Sequence, residues 1–202
     1  MFRKSVYIIF LVTSCLSQLV AQDNAFLKEI EAYRADQHAE FLNPDKSPLT
    51  PEERSAFKGH SFFAPDESYR VKARFEPTPE SKPFPLGTSK GTTQLYKRIG
   101  ILHFELKGDS LTLEAYLRVQ GFGMASKITY VFLPIIDKTT GESTYGAGRY
   151  LHYEGIPKGR EWVIDFNKLY NPYCAYSDRY ECPQVPEPNH LPMVIEAGVK
   201  GR

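Results

Sequence analysis

Strict alternation of apolar and charged side chains limits what this chain can fold into more than any other feature. From Tyr69 to Glu76 the odd positions are apolar and the even positions are charged. The same period of two runs from Leu102 to Leu106 and returns from Leu111 to Leu117 after a short polar turn. A period of two is typical of a strand with one buried face, and the second pair of runs predicts a β-hairpin. Further strands are predicted over residues 127–136, 149–153, 161–166 and 193–197.

Two helices are predicted before the strands. Residues 23–42 repeat apolar side chains at helical spacing, and Asn43-Pro44 ends that helix. Thr50 and Glu53 form a capping box with Pro51 at the first helical position, so a second helix is expected to run to about Lys58. The predicted class is therefore mainly β (β-rich α+β): an antiparallel barrel or sandwich with an N-terminal helical pair packed at one end.

The first residues have the order of a signal peptide. Arg3 and Lys4 precede an apolar run over residues 6–12, and Ala21-Gln22 offers a cleavage site. We therefore expect export to the periplasm or the medium. An alternative is that Cys15 is acylated, which would make the protein a membrane-anchored lipoprotein. The predicted division is a signal peptide over 1–21, a helical arm over 22–60 and a single β-rich domain over 61–202.

Composition excludes several classes of protein. The chain has 202 residues, 42% of them hydrophobic and 24% charged, which suits one soluble globular domain. A formal net charge of +1 argues against a nucleic-acid partner, because such proteins carry a basic excess. No segment after the signal peptide predicts a transmembrane span. No cofactor motif occurs, and neither a cofactor nor a metal is expected.

Cys174 and Cys182 are the cysteines that remain after the N-terminal segment. In an exported protein two cysteines in one short loop predict a disulfide bond. A free or redox-active pair is an alternative. A metal site is the weakest interpretation, because two thiols supply only half of a tetrahedral zinc site.

A row of polar and aromatic residues in the C-terminal part forms the candidate site. Arg149 and Asp165 lie nearly equidistant from a predicted turn at residues 157–159, so a hairpin would place them opposite each other. In one interpretation they form a ligand pocket; in the other they are a buried ion pair that fixes an irregular segment. The candidate residues are Arg149, Tyr150, Asp165, Asn167, Tyr170, Asn171, Tyr176 and Asn189.

The chain resembles an uncharacterised bacterial family, domain of unknown function number 1684. The resemblance begins at Phe57-Lys-Gly59 and is densest in the C-terminal block, which contains Asp165-Phe-Asn167, Tyr170-Asn-Pro172, Cys174-Ala-Tyr176, Cys182-Pro183, Asn189 and Ala197-Gly198. His190 stands where the family pattern has arginine, so His190 is not treated as a catalyst. The resemblance implies one compact domain and brings no activity.

Two functions follow as hypotheses. The first is a non-catalytic envelope domain that binds a small polar ligand or an envelope protein, because tyrosine and proline build rigid contact surfaces. The second is a hydrolase-like enzyme that uses a charged Arg149/Asp165 pocket. Convergence of Arg149, Asp165 and Tyr176 on an open cleft would favour the enzyme, whereas complete pairing and burial would favour binding.

Overall fold

The structure is a computed structural model that describes residues 25–119 and 130–201. Within it α1 runs over residues 25–42, as the helical spacing predicts. Phe26, Ile30 and Phe41 are buried on one face of this helix. The amide of Asn43 donates to the carbonyl of Ala39 at 3.1 Å, and the helix ends there. The predicted N-terminal helix is confirmed.

Helix α2 (Pro51–Ala56) begins at the predicted capping box and is shorter than expected. The Thr50 hydroxyl accepts from the Glu53 amide at 3.2 Å, and the Glu53 carboxylate accepts from the Thr50 amide at 3.0 Å. This helix buries no side chain, so its end is set by local bonds alone. It stops at Ala56, before Lys58.

In the described part of the chain, seven strands form one antiparallel sheet that curls into a half-barrel. The order across the sheet is β6-β5-β4-β3-β1-β7, and β2 pairs with β3 beside this path. The predicted β-rich antiparallel fold is confirmed. The strands are β1 (Arg70–Pro77), β2 (Phe84–Gly87), β3 (Thr93–Leu106), β4 (Asp109–Arg118), β5 (Tyr130–Ile135), β6 (Arg149–Glu154) and β7 (Glu161–Asp165).

The predicted hairpin joins β3 and β4. Leu106 pairs with Asp109, which leaves Lys107 and Gly108 as a two-residue turn. Both turn residues have positive φ, 52° and 91°, which is the conformation that matches the twist of the strands. The sequence pattern did not predict β2 or the first half of β3.

The core lies on the inner face of the curled sheet. Phe75 stacks on Trp162 with ring centroids 4.1 Å apart, where β1 runs beside β7. Gly100 on β3 faces this stack: a Cβ there would lie 2.2 Å from the Phe75 ring. The close stack therefore requires glycine at position 100.

The predicted hairpin between residues 149–153 and 161–166 is wrong. Strand β6 pairs with β5 and β7 pairs with β1, so the two strands lie at opposite edges of the sheet. The edge of β6 that faces away from β5 pairs with the C-terminal segment, because Tyr150 and Tyr170 exchange two backbone hydrogen bonds at 2.9 and 3.0 Å. The Tyr153 side chain joins the two edges instead, and its hydroxyl donates to the Val163 carbonyl at 2.8 Å.

The C-terminal segment, residues 166–201, is ordered without a regular strand. The strand predicted over 193–197 is not formed. Isolated bridges join Phe62 to Val199 and Ile136 to His190. Hydrogen bonds from buried side chains such as Arg149 and Asn171 hold the rest of the segment in place. No helix in residues 25–119 and 130–201 has the length and apolar character needed to cross a membrane.

Candidate functional site

Arg149 and Asp165 do not form the predicted ion pair. The Arg149 guanidinium pairs with Asp137, with Nη2 and Oδ2 2.7 Å apart. Asp165 pairs with Arg70, with Oδ2 and Nε 3.0 Å apart. The prediction fails because it assumes a β6–β7 hairpin, whereas these strands occupy opposite edges of the sheet. The proposed charged pocket therefore does not exist.

Arg149 instead holds the C-terminal segment against the sheet. Its side chain and that of Asp137 are both 0% exposed. The guanidinium donates to the carbonyls of Ala197 at 2.5 Å, Val199 at 3.1 Å and Ile195 at 2.9 Å. Burial lowers the pKa of Arg149, and the charge of Asp137 opposes that effect. The planar guanidinium therefore donates its hydrogen bonds to groups of the protein itself, and Arg149 has a structural role.

Asp165 and Asn167 fix the chain where β7 ends. Asp165 Oδ1 accepts from the amide of Asn167 at 3.1 Å and from its Nδ2 at 3.0 Å. The Asn167 side chain then accepts from the backbone N–H of Asp66 at 3.0 Å and donates to its carbonyl at 2.9 Å. Asn167 is completely buried. This pair therefore joins the entry of β1 to the exit of β7.

The Asn189 side chain bridges strands β4 and β5. Among the described residues these strands share a single register pair, Tyr116 with Phe132. The Asn189 side chain accepts from the Glu114 amide at 2.8 Å and donates to the carbonyls of Glu114 at 3.0 Å and Pro134 at 2.8 Å. The buried side chain thus replaces part of a strand.

Asn171 and Tyr176 lie in a second buried network with His60. Asn171 donates to the Lys200 carbonyl at 3.2 Å, and the Tyr176 hydroxyl lies 3.0 Å from His60 Nδ1. The His60 ring contacts Phe41 edge-on at a centroid distance of 4.3 Å. Burial lowers the pKa of His60 to about 4, so the imidazole is neutral at physiological pH.

Tyr150 and Tyr170 are neighbours with different surroundings. The Tyr150 hydroxyl donates to the Pro183 carbonyl and the side chain is buried. The Tyr170 ring packs edge-on against Tyr150 and against His152, and it borders an open cleft. Tyr170 differs from the other seven predicted site residues. Its hydroxyl has no hydrogen-bond partner within residues 25–119 and 130–201, and its side chain lines a cavity.

This cavity, the tyrosine cleft, has a volume of about 450 Å³. It lies between the C-terminal half of α1, the ends of β4, β5 and β6, and the C-terminal segment. Its defining residues are Arg118, Tyr130, His152, Tyr170, Tyr173 and Tyr180.

The polar groups of the tyrosine cleft fall into two sets. Tyr173 donates its hydroxyl to Glu40, so this pair is internally satisfied. The hydroxyls of Tyr130, Tyr170 and Tyr180 have no hydrogen-bond partner in the described part of the chain, and neither has the imidazole of His152. Three phenols and one imidazole therefore converge on one cavity with capacity to bind something else.

The protonation states of the tyrosine cleft follow from burial. Burial raises the pKa of Tyr170 well above its usual value, and the charge of nearby Glu40 adds to this effect. Burial lowers the pKa of His152 below its usual value, opposed by the carboxylates of Glu154 and Glu40. At neutral pH Tyr170 is thus a neutral hydrogen-bond donor and His152 a neutral imidazole that can donate at one nitrogen and accept at the other.

The two cysteines are free thiols in the structure, so the predicted disulfide is not formed in it. The amide of Cys174 nevertheless lies 3.3 Å from the sulfur of Cys182. Cys182 also lines the tyrosine cleft. No group of three or more candidate metal ligands is found among the residues that the structure describes.

The pattern of the sequence missed Arg118, Tyr130, His152 and Tyr180 as site residues. Arg118 ends β4 and Tyr130 begins β5, so the two lie at the same edge of the structure. The His152 side chain lies on β6 and lines the tyrosine cleft. In the sequence, the one feature that pointed to this site was the tyrosine-rich composition of the C-terminal segment.

Comparisons with known proteins agree with this fold. A family model described as "Protein of unknown function (DUF1684)" matches residues 55–200. The solution NMR structure of an uncharacterized protein from gene locus rrnAC0354 of Haloarcula marismortui is 34% identical, covers 89% of this chain and 96% of its own, and superposes with a TM-score of 0.68. No curated protein matches the chain. Since the family model spans most of its length, the chain belongs to the DUF1684 family of proteins of unknown function.

Proposed function

We propose that this protein is an exported, non-catalytic domain that binds a small polar ligand in the tyrosine cleft. The observation that carries the proposal is the convergence of the unpartnered hydroxyls of Tyr130, Tyr170 and Tyr180 with the imidazole of His152. A volume of about 450 Å³ lies in the range of small-molecule sites.

The lining favours a ligand with a flat ring and oxygen acceptors. Aromatic rings offer large contact area at low conformational cost, and phenol hydroxyls bond carbonyl, hydroxyl or carboxylate oxygens. Arg118 is exposed at the rim and makes no ion pair with any described residue, so it can attract a carboxylate. The charged groups Glu40 and Glu181 are each engaged by protein hydroxyls, from Tyr173 and from Thr88 and Thr92 respectively.

A binding role suits these groups better than catalysis does. A tyrosine whose pKa is raised by burial remains protonated, so Tyr170 positions a ligand and supplies neither a base nor a nucleophile at neutral pH. The hydrolase hypothesis depended on Arg149 and Asp165, which belong to separate clusters: Arg149 pairs with Asp137 and both side chains are fully buried, whereas Asp165 pairs with the partly exposed Arg70. That hypothesis has lost its basis.

Native mass spectrometry of protein purified from its own envelope tests the binding role. We expect a bound small molecule that dissociates on unfolding. Tyr170→Phe removes one hydroxyl and should weaken its affinity about fivefold to tenfold, the equivalent of one hydrogen bond of about 1 kcal/mol. The matched control is Tyr153→Phe, since Tyr153 lies on the same strand as His152 and bonds the Val163 carbonyl outside the tyrosine cleft. Protein without any bound molecule, or equal affinities in the Tyr170 variant and wild type, would contradict the proposal.

Export is proposed from the order of charge, apolar run and cleavage site in residues 1–22. These residues precede the described part of the chain. N-terminal sequencing of the mature protein should find residue 22 at the start. A mass that matches an acylated Cys15 would identify the lipoprotein form instead, and retention of Met1 would refute both.

A Cys174–Cys182 disulfide is proposed for the exported protein. The close approach of the Cys174 amide to the Cys182 sulfur supports it, since the loop needs little rearrangement to close. Thiol labelling of native and reduced mature protein tests the bond. Two thiols that react without reductant, in protein isolated under conditions that block exchange, would show that the bond is absent.

A further inference from the structure

The two cysteines differ in exposure and surroundings. Cys174 lies in a short 3-10 turn (Tyr173–Ala175) and is partly exposed, whereas Cys182 is buried with 8% of its surface exposed. The Cys182 amide donates to the Ser89 hydroxyl at 3.1 Å. An incoming reagent can therefore reach Cys174 more readily than Cys182.

Several side chains act as hydrogen-bond donors to the partly exposed sulfur of Cys174. The pKa of Cys174 is lowered to about 7, chiefly by a hydrogen bond from the Cys182 thiol and further by hydrogen bonds from Tyr145 and Ser89, against the opposing effect of burial. Burial raises the pKa of Tyr145 to about 12, so its hydroxyl remains a donor. A cysteine in such surroundings is a thiolate for a substantial fraction of the time at neutral pH.

The buried sulfur behaves in the opposite way. Its hydrogen bond to Cys174 and its burial both raise the pKa of Cys182. The charge of Glu181 also disfavours ionisation of Cys182, and the charge of Asp178 disfavours ionisation of Tyr145. One attacking and one protonated thiol side by side is the arrangement that thiol–disulfide exchange requires.

We propose that Cys174 and Cys182 form a thiol–disulfide exchange site, in which Cys174 attacks an accessible disulfide bond and Cys182 resolves the mixed disulfide. The proposal rests on the Cys174–Cys182 disulfide proposed above and is independent of the ligand of the tyrosine cleft. The substrate is any reachable disulfide, in a small molecule or on a protein surface.

The exchange balances without a cofactor. The Cys174 thiolate bonds to one sulfur of the substrate, and the other substrate sulfur leaves as a thiolate that takes up a proton. Cys182 then loses its proton and attacks the Cys174 sulfur, which releases the second substrate thiol. Two protein thiols are oxidised and one substrate disulfide is reduced; the reverse sequence transfers the disulfide to a substrate dithiol.

The same geometry argues against a purely structural disulfide. A reduced pair with its own hydrogen bonds is stabilised relative to the oxidised form, and this raises the reduction potential of the disulfide. The bonds that stabilise the reduced pair include the one from the Cys174 amide to the Cys182 sulfur. A purely structural disulfide would resist reduction by glutathione.

Alkylation of reduced mature protein by iodoacetamide, followed by mass spectrometry across pH, tests the attacking role. Cys15 supplies no free thiol in either mature form. We expect an inflection near pH 7 for Cys174, and at pH 6 a rate about fivefold to tenfold above that of an ordinary cysteine, after allowance for the lower nucleophilicity of an acidic thiol. Tyr145→Phe should raise the inflection while the disulfide still forms. An inflection above pH 8.5 in wild type would overturn the assignment of Cys174.

Equilibration with mixtures of reduced and oxidised glutathione distinguishes failure of the proposed exchange site from failure of the proposed disulfide. We expect reversible conversion between dithiol and disulfide, and Cys182→Ser should accumulate a glutathione adduct on Cys174 at least tenfold faster than Cys174→Ser does on Cys182. A disulfide that reduced glutathione does not open would overturn the exchange site and leave the structural disulfide standing. Failure to form the disulfide at any ratio would overturn both.

Discussion

Replacement of Arg149 by methionine should strongly destabilise the protein. Arg149 and Asp137 are both 0% exposed and pair at 2.7 Å. Methionine fills a similar volume but cannot neutralise the carboxylate that remains. The variant therefore leaves a buried charge without its partner, together with three backbone carbonyls that lose their donor.

The expected loss is about 3–5 kcal/mol in the free energy of unfolding, the range for breaking one side of a buried ion pair. With a dependence on urea of about 2 kcal/mol per molar, the unfolding midpoint should fall by about 1.5–2.5 M. Asp137 keeps the hydrogen bond from the Thr139 amide at 2.8 Å, which limits the loss. Its other oxygen is left facing the vacated position.

Urea unfolding followed by intrinsic fluorescence is a suitable assay. Trp162 is the single tryptophan of the chain and is 2% exposed, so its emission should shift when the core opens. Arg74→Met is the matched control. The Arg74 side chain is 60% exposed and pairs with Glu76 at 3.3 Å on the surface, so its loss should cost less than about 0.5 kcal/mol.

A second variant separates the buried charge from lost packing. Asp137→Asn added to Arg149→Met removes the stranded charge and supplies an amide that can donate to the vacated carbonyls. The double variant should therefore be about 1–2 kcal/mol more stable than Arg149→Met alone. A cost of Arg149→Met below about 1.5 kcal/mol, or a double variant less stable than the single one, would refute this account of the cluster.

Three further predictions concern other buried groups. Asn189→Ala removes three hydrogen bonds that join β4 to β5 and should cost about 3 kcal/mol by urea unfolding, while Asn189→Asp should cost more because a carboxylate would face two carbonyls. The neutral His60 should make stability fall by about 2–3 kcal/mol as pH drops from 6.5 to 4, because the unfolded imidazole binds a proton in this window and the folded one does not; His60→Phe should flatten that dependence. Gly100→Ala should lower stability by about 1–3 kcal/mol, measured by thermal unfolding, since its Cβ would overlap the Phe75 ring.

Local sequence patterns were enough to predict the secondary-structure elements whose hydrogen bonds join residues close together in the chain. Alternation of apolar residues predicted the β3–β4 hairpin, because a period of two can bury only one face of a strand. The capping box at Thr50 predicted the start of α2, because its two hydrogen bonds span only three residues.

Only the tertiary structure decided which polar groups meet. Arg149 could pair with Asp165 or Asp137 as far as the sequence is concerned, and the choice follows from the pairing of β6 with β5. Register between strands distant in the chain is a property of the whole sheet, since each pairing must satisfy the backbone bonds of both neighbours. The tyrosine cleft is assembled from α1, three strand ends and the C-terminal segment, so no local pattern could predict it. Its side chains share a cavity because elements that are distant in the chain pack against one another.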